Sequence, residues 1–263
     1  MREGSNLGRL IEGQILFDDG DHKFIWLGAD EDYRKGVVQT MQYLIIDKNK
    51  GWLLDPGGVH LFSRVVAGVS RYISLDRIEG IFFSHQDPDV SSGIALWLGV
   101  TKAKVWISSL WTRFLPHFGI VDPSRVSAIE DLPGRTLELG SGARLRFVPT
   151  HFMHSPGAWS VFDERSKILF SGDVGAAVFP DGKETLFIDD FPAALPYIEG
   201  FHTRYMAGNA VAKRWSENVK RLGPSMIAPQ HGGIYRNKAV GDFLDWLSKL
   251  RCGIDLVEQL YGD

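Results

Sequence analysis

Ser84-His85-Gln86-Asp87-Pro88-Asp89-Val90-Ser91-Ser92-Gly93 is the stretch from which the fold can be read. Ile81-Phe82-Phe83 just before it is a short apolar run with the character of a buried strand, and Ile78 belongs to the same segment. Ile94-Ala95-Leu96-Trp97-Leu98 just after it is apolar and helix-like. A strand that ends in His-x-Asp-x-Asp and then opens a helix places several metal-binding side chains on one short loop. Imidazole suits iron, zinc and other transition metals. Carboxylates are harder ligands and favour iron or manganese over thiolate-loving ions. The plainer alternative is a polar turn in which Asp89 or Ser91 caps the following helix.

Length and charge narrow the field. The 263 residues are 44% hydrophobic, enough to bury a substantial core. With 29 basic and 32 acidic side chains the formal net charge is -3, so nothing draws the chain toward nucleic acid or an anionic membrane. Cys252 is the only cysteine, which excludes an intrachain disulfide and a Cys-rich zinc site. The segment Met1 to Gln14 has no apolar core of signal-peptide length. No apolar run approaches the roughly 20 residues of a membrane span. A soluble, cytoplasmic protein is expected.

Outward from the loop, the chain reads as paired strands followed by strands alternating with helices. Gln14 to Phe17 and Lys23 to Leu27 form a hairpin around Asp18-Asp19-Gly20-Asp21. Thr40 to Ile46 and Trp52 to Leu54 form a second. Asp55-Pro56-Gly57-Gly58 breaks the strand, and Leu61 to Val69 reads as a helix. Past the loop come a strand over 104–107, a helix over 110–118 and a strand over 144–148. That strand runs into the Pro/Gly-bounded loop 149–157. Trp159 to Phe162 and Ile168 to Ser171 form a further hairpin. Residues 174–202 show little periodicity and predict a long functional loop or a partner surface. Arg204 to Leu222 is the longest helical pattern, Met226 to Pro229 a strand, and Val240 to Leu250 a closing helix. No linker and no fixed repeat appears, so one domain over 1–263 is expected. Stacked strand layers with helices outside would make a four-layer αββα sandwich. A doubly wound parallel sheet fits worse, because tight hairpins join several neighbouring strands.

Three further metal-binding side chains fall just after predicted strands: His154, Asp173 and His231. Each alone is ordinary. A single His after a strand is commonly structural, and an Asp after Ser-Gly is commonly a turn residue. With His85, Asp87 and Asp89 they make three imidazoles and three carboxylates, sufficient for two metals with one carboxylate bridging. His151 competes with His154 in the same loop and is the alternative partner behind the ligands. His22, His60 and His117 are expected in surface or packing roles. His202, close to the irregular segment, is expected to approach the site from a neighbouring subunit.

The order His-x-Asp-x-Asp, then His, Asp and His-Gly, resembles the metallo-β-lactamase superfamily. It is closest to the diiron domain of flavodiiron proteins and to stand-alone oxygen-binding diiron proteins. The matching pieces are Tyr43 to Ile46 with Leu53 to Gly57, Ser84 to Asp89, Met153-His154-Ser155-Pro156, Phe170 to Asp173, and Ala228 to Gly232. The resemblance implies that His85, Asp87 and His154 hold one iron, Asp89 and His231 hold the other, and Asp173 bridges. Hydrolytic members usually read His-x-His-x-Asp-His. Here Asp87 replaces the second His, which exchanges nitrogen for oxygen and tilts the site from zinc toward iron, so two iron ions are expected, with zinc or manganese as the alternatives. Val90 replaces the last His and would wall an open metal position with an aliphatic side chain. Flavodiiron proteins usually carry Glu where this chain has Asp87.

A non-haem diiron protein that binds O2 or NO is therefore the first expectation, because two ferrous ions can each donate an electron. The chain ends at Asp263 with no flavodoxin domain read in it and no FMN site. A sensor or gas-binding role is favoured over rapid turnover. An O2 or NO reductase fed by a separate redox protein is the second reading, and a dinuclear metallohydrolase the third. A separate signalling protein is a further expected partner. The aromatic-rich segment Phe179 to Phe201 is either a homodimer surface or ordinary packing.

Overall fold

Hydrophobic alternation and tight turns build two seven-stranded sheets, and the chain divides into two compact units, Met1–Leu145 and Arg146–Asp263. The computed structural model describes residues 12–28, 39–120, 122–180 and 182–262. Residues 1–11, read above as lacking a signal-peptide core, lie outside them.

In the first unit the strands β1 (Gln14–Asp18), β2 (His22–Trp26), β3 (Tyr43–Asp47) and β4 (Lys50–Leu54) follow one another as antiparallel neighbours. Both hairpins read from the sequence are present. Lys48 and Asn49 form the second turn, both at positive φ, as a two-residue hairpin with matching twist requires. Helix α1 (Phe62–Ser70) buries Val65 and Val69. The sheet then turns parallel, with β5 (Ile78–Phe82) beside β4 and β6 (Lys104–Ile107) beside β5. Between β5 and β6 lie two short helices, α2 (Pro88–Ser91) and α3 (Ile94–Val100). A single helix over 110–118 is not what forms. Ser109–Thr112 is helix α4, and Leu115–Phe118 is a separate 3-10 turn with Pro116 in its first positions. Proline lacks the N–H that would continue the helical ladder. Two strands escaped sequence reading in part, β7 (Val126–Ala128) and β8 (Thr136–Glu138), both only three residues long. His22 is fully buried, with Nδ1 2.9 Å from an oxygen of Asp47, and Ser141 donates to the same carboxylate. Burial raises the Asp47 pKa, but the Ser141 and His22 bonds outweigh it, and the net shift is downward. His60 and His117 are exposed, as expected.

The second unit is built on β9 (Arg144–Pro149), β10 (Trp159–Asp163), β11 (Ile168–Gly172), β12 (Phe187–Ile188), β13 (Met226–Pro229) and β14 (Ile234–Arg236). The order across this seven-stranded sheet is β12-β14-β13-β11-β10-β9-β8, with β11 and β13 parallel. Helices α5 (Phe191–Tyr205), α6 (Asn209–Leu222) and α7 (Lys238–Leu247) cover one face. Ile198, Trp215, Val219, Phe243 and Leu247 from them share a core with Val148, Phe162, Leu169 and Ile227 from the strands.

Two expectations are overturned in this unit. Residues 174–202 are not an irregular loop throughout, because α5 occupies the second half. Its prolines gave the wrong signal. Pro192 stands in the first turn, where no N–H partner is needed, and Asp190 caps the helix by accepting from the Ala193 N–H at 3.1 Å. The other correction concerns Arg204 to Leu222, which is not one helix. Backbone bonds from Ala207 N–H to the Phe152 carbonyl and from Ile254 N–H to the Ala207 carbonyl break it at 206–208. α6 then starts at Asn209, whose N–H is capped by Asp255.

His202 is also not where the sequence suggested. It is fully buried inside its own chain, between Phe243 and Trp246. Burial pushes its pKa down to about 4, against the opposing pull of the Ile198 carbonyl and the Asp173 charge. The unfolded chain binds this proton near pH 6.5, and the folded chain does not until about pH 4. Stability contributed by this group is thus complete above pH 6.5 and lost as pH falls toward 4. Stability of metal-free protein, read from thermal melts, should drop between pH 7 and pH 5 by about 2 kcal/mol. In His202→Gln, which has no proton to take up, that slope should flatten.

Candidate metal centre

All the candidate ligands stand at or beyond the carboxyl ends of strands, where open α/β sheets commonly carry their sites. β4 and β5 are parallel neighbours, so the segments after them, Asp55 and Ser84-His85, emerge side by side. Asp55, fully buried, accepts from the Ser84 N–H at 2.7 Å through one oxygen and from the Ser84 hydroxyl through the other. The Ser84 hydroxyl in turn lies 2.8 Å from His85 Nδ1. Since that hydroxyl gives its proton to Asp55, it accepts from Nδ1–H. Nε2 of His85 is left with its lone pair, the form that binds a metal. His85 Nε2 stands 3.6 Å from Asp87 Oδ2, while Gln86 donates to the other Asp87 oxygen at 2.9 Å. Asp89 lies in the first turn of α2, half-buried. Val90 is fully buried in the apolar core of this unit with Ile94 and Trp97.

Removing the Ser84 hydroxyl should loosen this arrangement without unfolding it. Ser84→Ala deletes the acceptor at Nδ1 and frees the imidazole to rotate or change tautomer. Metal affinity should fall about ten- to hundredfold, the usual cost of losing a group behind a ligand. Titration of metal-free protein with ferrous iron measures it.

In the second unit the ends of the parallel strands β11 and β13 bring Asp173 and His231 together. Asp173 Oδ1 stands 3.5 Å from His231 Nε2, and its Oδ2 stands 3.7 Å from His154 Nε2. These separations exceed a hydrogen bond. Two donor atoms at about 2.1 Å from one ion stand about 3.0–3.6 Å apart, depending on the angle between the bonds, so both separations are close to that spacing. Each oxygen of Asp173 thus faces a different imidazole, so Asp173 could hold an ion with either one. The donor set is nitrogen and carboxylate oxygen with no sulfur, and it fits iron.

Local backbone explains the aim of each ligand. His154 has φ +79, left-handed and uncommon for a residue with a β-carbon, and its ring rests 5.4 Å from Tyr205 and 6.1 Å from Phe201. His231 is held by its carbonyl, which accepts from Ala177 N–H at 3.3 Å. The following Gly232 has φ +89, and a β-carbon there would fall 2.6 Å from that of Ala177. Only glycine allows the chain to pass so close. The rival His151 turns its ring onto Trp159 at 4.9 Å, whereas His154 faces Asp173. The sequence missed Asp55 and Ser84 as functional partners. Their signal was an Asp after one strand and a Ser before the His of the next, which matters only once β4 and β5 are known to be parallel.

The fold, with imidazoles and carboxylates at the strand ends of each unit, is that of a metallo-β-lactamase-like protein of the diiron branch. The profile of the ODP family beta lactamase matches residues 38–232, and the chain belongs to that family. A solved structure described as the peroxy diiron species of the chemotaxis sensor ODP is 58% identical, with a TM-score of 0.84. That match covers 95% of this chain and 100% of the other. The apo state of the sensor from T. denticola is 57% identical, covering 95% of this chain and 99% of the other, with a TM-score of 0.85. A flavo di-iron protein of Thermotoga maritima shares the fold at 21% identity and a TM-score of 0.74, over 90% of this chain and 60% of that one. The chain spans about half, or less, of the length of the curated relatives it matches. No helix among the described residues is long and apolar enough to cross a membrane.

Proposed function

We propose that this chain is a non-haem diiron protein that binds dioxygen as a sensor. One observation carries the reading: Asp173 presents one oxygen to His154 and the other to His231. The 58% identity with the ODP chemotaxis sensor supports it. His85, Asp87 and His154 are assigned to one iron, Asp89 and His231 to the other, with Asp173 between them. When bound, two ferrous ions supply the electrons that activate dioxygen. The chain's own groups do the rest. Asp55 and Ser84 fix the His85 tautomer, and Val90, packed in the apolar core, offers no donor where a hydrolase would carry histidine. We take 1–263 as one diiron domain, working in the cytoplasm and reporting to a separate signalling protein.

Metal analysis of protein purified without added metal tests the reading first, and two irons per chain are expected. The anaerobically reduced protein should then gain a visible absorption band on addition of one equivalent of O2, and the band should persist. Zinc as the sole metal would overturn the diiron assignment. Rapid steady O2 or NO consumption with an added electron donor would replace the sensor with a reductase.

A further inference from the structure

We infer that His202 is a positioning residue for the bridging carboxylate, acting from within the same chain through the turn that carries Asp173. The inference rests on the diiron reading above and adds a residue to it. His202 Nδ1 lies 2.8 Å from the Ile198 carbonyl, which can only accept, so Nδ1 carries the proton. Nε2 therefore offers a lone pair, and it accepts the Gly175 N–H at 2.9 Å. Gly175 stands two residues after Asp173. Its carbonyl accepts from the Tyr235 hydroxyl at 2.8 Å. Both backbone polar groups of Gly175 are thus clamped by buried aromatic side chains. Within the turn, Ala176 N–H donates to the Asp173 carbonyl at 3.0 Å and Ser171 Oγ to the Val174 carbonyl at 2.5 Å. Gly175 has φ +101, and the Tyr235 ring lies 3.0 Å from where its β-carbon would be. The turn follows a path that only this clamp and this glycine permit.

The same helix also reaches the other half of the pair. Phe201 and Tyr205 flank His202 on α5, and their rings rest on His154. One helix therefore touches the imidazole that faces Oδ2 of Asp173 and the turn that aims both its oxygens. If His202 served only to fill space, a phenylalanine would do as well against Phe243 and Trp246. The clamp requires an acceptor at the Nε2 position. Glutamine can supply one through Oε1, and phenylalanine cannot.

The experiment compares wild type, His202→Phe and His202→Gln by two measurements: hydrogen exchange at the Gly175 amide in metal-free protein, and titration with ferrous iron. His202→Phe should exchange Gly175 at least about tenfold faster. It should also bind iron about ten- to hundredfold more weakly, with an altered absorption spectrum of the iron-loaded form. His202→Gln should restore both to within about threefold of wild type. Unchanged Gly175 exchange in His202→Phe overturns the inference, whatever the iron result. Equal loss of iron in the Phe and Gln variants also overturns it, because that is the signature of packing. Failure of wild type to bind iron sinks the diiron reading instead, and the exchange comparison still decides whether His202 holds the turn.

Discussion

Asp173→Ala should abolish tight binding of both irons at once. The side chain is 7% exposed and stands between two imidazoles, with one oxygen toward each. Removing any other proposed ligand costs one ion a donor. Removing this one takes a donor from both and also the negative charge that holds two dications near each other. Even groups behind the ligands are worth about ten- to hundredfold in affinity, so loss of a shared ligand should exceed a hundredfold. A thermal melt gives a second reading. At free iron a hundred times the dissociation constant, wild type should gain about 2.7 kcal/mol of stability per ion bound, and Asp173→Ala less than about 0.5 kcal/mol. Asp173→Asn is the sharper control. It keeps the shape but turns one oxygen into an N–H donor, which cannot serve a metal. It should retain at most one weakly held ion. Retention of two irons by either variant would refute the bridging role.

Phe243→Ala should be the most damaging change away from the metal-binding residues. Phe243 is fully buried and rests against Tyr235 at 4.6 Å, His202 at 5.7 Å, and Phe191 and Trp246 at 6.1 Å each. Its removal leaves a cavity where α5, α7 and β14 meet. Truncation of a buried Phe costs about 3–5 kcal/mol, against a whole-domain stability of about 5–15 kcal/mol. The melting temperature should fall on the order of 10 °C. Since the cavity opens beside both arms of the Gly175 clamp, iron affinity should fall with it. Leucine at 243 should recover most of the stability.

The parts of the site that follow from local rules were legible in the sequence. The strand Ile78 to Phe82 ends, a loop carries His85 and Asp87, and a helix begins with Pro88 at its first position. Each step has a signal within a few residues. The hairpins at Asp47 to Lys50 and at 163–168 were equally local. What was not legible depends on distant partners. The start of α6 is set by Asp255, 46 residues away, and its separation from α5 by Phe152 and Ile254. His202 looked exposed because the segment before it is rich in Gly, Pro and Asp. Yet Phe191, Ala194, Ile198 and His202 fall on one buried stripe. Prolines at 192 and 196 masked a helical spacing that was there to be counted.

The left-handed backbone at His154 puts two demands on one position in conflict. A histidine in that conformation costs on the order of 1–3 kcal/mol that a glycine would not. Selection for heat resistance alone would drift toward glycine at 154 and yield a sturdier chain without the imidazole proposed above as an iron ligand. With the role proposed for it above, His154 trades durability for a metal-binding imidazole.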